Sequence, residues 1–81
     1  SQNKLDISKA TEAIKAARFV EALSLLESNL AKDPNHIESL YLAAVSSRYL
    51  KNYDDAKKYI VLAKDITTID STKIFIQKIQ S

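Results

Sequence analysis

Apolar residues recur along this chain at the three- and four-residue spacing of a helix face, in five successive stretches. The first, about Lys4 to Ala16, carries Ile7, Ala10, Ile14 and Ala17, with Ala13 beside them and Asn3 and Asp6 placed to cap its start. The second, Phe19 to Ala31, aligns Phe19, Ala22, Leu23, Leu26 and Leu30. Asp33-Pro34-Asn35 then breaks the chain, because proline disfavours helix for the residue before it. The third restarts at Asn35, which with Glu38 makes a capping-box pattern, and runs to about Leu50. It is apolar over most of its circumference, so it calls for neighbours on several sides. The fourth follows Asn52, with Asp54 and Asp55 at the positive end of its dipole and Tyr53, Ala56, Ile60, Ala63 and Ile66 on one stripe. Thr67 and Thr68, poor helix formers, are expected to end it. A short fifth helix, capped by Asp70 or Ser71, carries Phe75, Ile76 and Ile79.

The second and fourth stretches share a skeleton. Phe19, Glu21, Ala22 and Leu26 recur as Tyr53, Asp55, Ala56 and Ile60, each pair 34 residues apart. With Lys51-Asn52-Tyr53-Asp54-Asp55-Ala56 and Ala31-Lys32-Asp33-Pro34-Asn35, this period resembles the tetratricopeptide repeat family. Residues 3–36 and 37–70 would be two repeats, and 71–81 the solvating helix that closes such arrays. The second unit matches through Leu40, Ala43, Ala44, Ser47, Ala56, Ile60 and Ala63, the first through Ala10, Ala22, Leu26 and Pro34. There are departures. Strict alignment puts Asp6 and Lys9 at apolar positions, which shortening the first turn by one residue replaces with Ile7, Ala10 and Ile14. Asn29 stands opposite Ala63, and Thr68 opposite Pro34. The resemblance implies one all-α domain over residues 1–81, with antiparallel helical hairpins stacked as a short right-handed superhelix of five helices. Alanines at Ala22 and Ala56 would let the helices of each hairpin approach closely, with Leu26 and Ile60 filling the space beside them.

Composition narrows the function. With 46% hydrophobic and 27% charged residues the chain is globular, and 81 residues suffice for one core. Zero glycine excludes phosphate-cradling loops, whose backbone only glycine fits comfortably. A net charge of +2, with acids interleaved among the lysines, gives no basic groove for nucleic acid. The longest apolar run, Leu40 to Val45, is too short to cross a bilayer. A start at Ser1 without methionine reads as a processed product, a tagged chain or, first of these, a piece cut from something longer, and the lack of cysteine and of a signal-like start favours the cytoplasm.

Candidate chemistry is sparse. His36 with Asp33 offers too few ligands for a closed metal site, and a solvated linker histidine is the simpler reading. Ser46 and Ser47 have no base near them in sequence and read as small packing residues. Asp54 and Asp55 point to different faces of a helix, so they are helix-start acids rather than a catalytic pair. Lys51, Lys57, Lys58 and Lys64 could form a stripe for an anion, but the interleaved Asp54, Asp55 and Asp65 make a solvated face the simpler account. No catalytic residue, metal or cofactor is expected.

The surface that stands out is on the third helix. Tyr41, Val45, Arg48 and Tyr49 share one side, away from Leu40, Ala44 and Ser47, with Lys15 of the first helix expected near Arg48. Tyrosines and arginine are typical binding anchors. Two accounts stay open here: a concave groove for a peptide or partner helix, or a face covered by the chain's own first and last helices. The resemblance implies a protein–protein interaction module. No asparagine stands where family members grip a terminal carboxylate, so a mainly apolar groove is expected. Two other roles fit the pattern: an appendage of a larger enzyme such as a transferase, or a self-associating scaffold unit, since two repeats fall below the usual three.

Overall fold

The computed structural model describes the backbone of residues 6–80 and the side chains of residues 6–67. Among these the chain is all-helical, without strands, and has four helices: α1 (Ser8–Lys15), α2 (Phe19–Lys32), α3 (Ile37–Tyr49) and α4 (Tyr53–Gln80). Successive helices pack against each other, and α3 lies between α2 and α4 while also touching α1. The fully buried residues include Ala10, Ala13, Ala22, Leu26, Leu40, Ala43, Ala44 and Ala63.

Two expectations about helix ends are corrected. Where five helices were expected, α4 runs unbroken through Thr67 and Thr68. The Thr67 hydroxyl donates to the carbonyl of Ala63 at 3.0 Å, so its polar group is satisfied inside the helix. With no glycine or proline nearby, two threonines cost only about 1 kcal/mol together in propensity, too little to stop a helix. The separate capping helix is thereby replaced by a continuation of α4; the side chains of Phe75, Ile76 and Ile79 lie outside the described residues. The second correction is at α3. Its N-cap is His36, not Asn35. Asp33 explains the shift: its carboxylate accepts from the Asn35 N–H at 3.1 Å and its carbonyl from the His36 N–H at 3.1 Å. This turn uses up Asn35 and moves the start of the helix one residue on.

At the start of α1, Asp6 Oδ1 accepts from the Ser8 N–H at 2.8 Å, satisfying one free donor of the first turn. That bond, then the Ser8 hydroxyl and Lys9, hold the Asp6 carboxyl below its ordinary value. Asn3 lies outside the described residues.

The 34-residue register is built into the backbone, and the one-residue shortening of the first turn expected from the sequence does not occur. Ala17 and Lys51 have φ of 62° and 66°, left-handed conformations usually given to glycine. Around Ala17, Arg18 N–H bonds to the carbonyl of Ala13 at 2.7 Å and Ala17 N–H to Ile14 at 2.9 Å. Around Lys51, Asn52 N–H bonds to Ser47 at 2.8 Å and Lys51 N–H to Arg48 at 2.9 Å. Each pair is a Schellman cap, and the two reverse α1 into α2 and α3 into α4 in the same way.

Side chains break that symmetry. Ala22 and Leu26 have no exposed surface, whereas their partners Ala56 and Ile60 are half-buried. Phe19 is half-buried, but Tyr53, expected on the buried stripe of α4, is 61% exposed. The cause is neighbours. Ala10, Leu26 and Ala43 form one apolar cluster, in which α3 closes the notch between α1 and α2.

Three serines of α3, Ser39, Ser46 and Ser47, are completely buried. Ser39 is satisfied: Asn29 Nδ2 donates to its hydroxyl oxygen at 3.3 Å, and His36 Nδ1 lies 2.6 Å away. Asn29 Nδ2 also reaches the carbonyl of Asp6 at 3.2 Å, so this polar residue at an apolar position fastens α2 to the start of α1. The Ser46 and Ser47 hydroxyls have no hydrogen-bond partner among the described residues.

Two stability predictions follow from these backbone and hydroxyl environments. Ala17→Gly and Lys51→Gly each relieve a left-handed strain that exceeds the entropy glycine adds to the unfolded chain, raising stability by about 0.5–1 kcal/mol in urea unfolding. Ser47→Ala removes an orphaned hydroxyl and stabilises by roughly 1 kcal/mol, whereas Ser39→Ala breaks a satisfied one and destabilises by a similar amount. Changes of the same sign for the two serines would contradict these hydroxyl assignments.

Candidate functional site

The buried residues of α3 occupy an arc of about 160° at 100° per residue. The rest of the helix carries Tyr41, Val45, Arg48 and Tyr49, all exposed: Tyr41 41%, Val45 39% and Tyr49 64%. The described residues leave these four exposed, with Ala56, Lys57 and Ile60 of α4 flanking Val45 and Arg48, while the expected cover by residues 71–81 lies outside the described side chains.

Val45 and Arg48 sit on the ridge between two concavities. One, of about 560 Å³, is lined by Val45, Arg48, Tyr49, Lys51 and Tyr53. The other, of about 260 Å³, lies between α3 and α4 and is lined by Ala44, Val45, Arg48, Ala56, Lys57 and Ile60. Three of the expected residues thus converge on one hollow. Tyr41 stands a helical turn before Val45 on the same side. Lys15 is exposed in the last turn of α1 and lines neither hollow.

Tyr49 is held in place. Its ring stacks on Phe19 at the start of α2, with centroids 4.6 Å apart and planes within 4°. The stack carries the α3 surface across to the first hairpin, and it leaves most of the tyrosine exposed. A side chain fixed before binding loses less entropy on contact.

Sequence reasoning missed Lys51, Tyr53, Ala56, Lys57 and Ile60 as part of this surface. Their signal was present, since each lies on one side of the α3–α4 hairpin. Helical spacing instead places Tyr53, Ala56 and Ile60 on the apolar stripe of the fourth helix.

His36 is not a solvated linker residue. Its side chain is only 16% exposed and faces Glu38, with Nε2 3.7 Å from Oε1. Asn29 donates to the Ser39 oxygen, and His36 Nδ1 shares a hydrogen bond with the same hydroxyl. This Ser39–His36 contact also escaped the sequence reading. Ser39 has no exposed surface, so the pair presents no nucleophile to a substrate. Its geometry is that of a structural clasp between the α2–α3 turn and the core.

Tyr59, half-buried against the core, has its hydroxyl pKa pushed up, first by burial and then by Glu27 and Asp55. Among the described residues no three His, Cys, Asp or Glu side chains gather as metal ligands would, and no helix is long and apolar enough to cross a membrane.

No protein-family model, curated protein or solved structure matches this chain.

The stacked pair gives a direct check. A double-mutant cycle of Phe19→Ala and Tyr49→Ala, read by urea unfolding, should return a coupling of about 0.5–1.5 kcal/mol. A coupling indistinguishable from zero would show that the two rings do not support each other.

Proposed function

We propose that this chain is a tetratricopeptide-like protein–protein interaction module that binds a peptide or partner helix on the exposed side of α3. One observation carries the reading. Tyr41, Val45 and Tyr49 stay exposed on a helix whose other face is wholly buried, and Val45, Arg48 and Tyr49 bend around a single hollow. Tyrosine supplies large contact area with little entropy to lose, and arginine adds directional donors. The superhelical stacking of two hairpins is part of the same proposal. It is supported by the shared 34-residue register of the two Schellman turns and by the packing of α3 onto the first hairpin.

The test is a selection from a random peptide library, followed by mapping of a selected peptide by amide chemical shifts. The expected shifts centre on Val45, Arg48, Tyr49 and Tyr53. Tyr49→Ala should then weaken binding by about 2 kcal/mol, the loss typical of an anchor residue. Shifts confined to the outer lysines of α4, around Lys58, would overturn the proposed surface.

A further inference from the structure

The internal repeat supplies a template for what the hollow between α3 and α4 accepts. In the first hairpin, Ala10 and Leu26 form a notch that Ala43 of α3 closes. Thirty-four residues on, the same positions are Ala44 and Ile60, and with Ala56, the counterpart of buried Ala22, they line the open 260 Å³ hollow. The two notches are alike in floor and differ in rim. The half-buried Ile14 and Leu23 of the first hairpin are replaced in the second by Arg48 and Lys57, both exposed. Lys51 adds a third cation in the adjoining hollow; no acid among the described residues lines either one, although Lys51 shares a further hollow with Asp54 and Asp55.

We infer that this second notch docks an amphipathic helix of a partner protein, laid as α3 lies on the first hairpin, with an apolar stripe on Ala44, Ala56 and Ile60 and acidic side chains facing Arg48 and Lys57. The inference rests on the interaction reading above and specifies the chemistry of the partner. An apolar floor between two helices takes a helix face, and the cationic rim selects carboxylates beside it. A second copy joined by twofold symmetry fits poorly, because a shared patch would set Arg48, Lys51 and Lys57 against their own counterparts. The chain's own residues 71–81 carry Lys73 and Lys78 and no acid, so they would bring like charge to the same rim.

The experiment uses three synthetic 18-residue helical peptides that share one leucine stripe and differ only in flanking residues, all Glu, all Gln or all Lys. Each is titrated into the full chain and followed by amide shifts. The Glu peptide should perturb Ala44, Ala56 and Ile60 and bind about tenfold tighter than the Gln peptide at low salt, a gap that closes as salt screens the rim. Replacing the rim by its first-hairpin residues, Arg48→Ile with Lys57→Leu, should keep binding of the Gln peptide and erase the preference for Glu. Equal binding of all three peptides in the notch would overturn the acidic partner while leaving an interaction surface. Absence of shifts on α3 and α4 with every peptide would overturn the helix-docking notch, and the library selection decides the broader reading separately. Sedimentation showing a dimer through this notch, or contacts between residues 71–81 and Ile60, would replace the partner by the chain itself.

Discussion

Everything in this fold depends on how closely α3 can approach the first hairpin. Ala10 and Ala43 are buried and pack with Leu26 in one cluster, so the helices meet there through small side chains. Close approach brings dispersion contacts and excludes water, which is how a chain of this size assembles a core without cysteine. The same constraint explains the buried serines. Ser39, Ser46 and Ser47 are nearly as small as alanine and fit where a larger residue would force the helices apart. Ser39 recovers its hydrogen bonds through Asn29 and His36, while Ser46 and Ser47 find no partner among the described residues.

Burying one side of α3 frees the other. The arc that carries Tyr41, Val45, Arg48 and Tyr49 turns away from the seam, so its exposure follows from the packing behind it. The Phe19–Tyr49 stack then fixes one ring of that face against the first hairpin. Stability and the proposed binding surface are therefore two sides of one helix. A substitution that loosens the alanine seam would reorient the tyrosines without touching them.

The two hairpins share a backbone plan but not a fate. Identical turns at Ala17 and Lys51 set matching geometry, yet Leu26 is sealed and Ile60 remains half-open. The first hairpin has α3 packed on its notch, while the notch of the second keeps an open hollow whose rim carries Arg48 and Lys57. Polar residues at a position that is apolar in the sister unit mark a surface suited to water or to a charged partner.

Helical periodicity is local, so the existence of α1 to α4, the break at Pro34 and the burial of Ala10, Ala22 and Leu26 were legible from residue spacing alone. So was the shared side of Tyr41, Val45, Arg48 and Tyr49, because side-chain direction on a helix follows from 100° per residue. The rest depended on which segment lies against which. Asp33 took over the turn and passed the cap to His36; Ala17 and Lys51 accepted left-handed backbone without glycine; Thr67 stayed helical through its own hydrogen bond. Matched residues such as Ala22 and Ala56 came out unequal, since burial belongs to the neighbours a position meets and not to its place in a repeat. Spacing sets the direction in which a side chain points, and only the packed chain decides whether anything stands there to meet it.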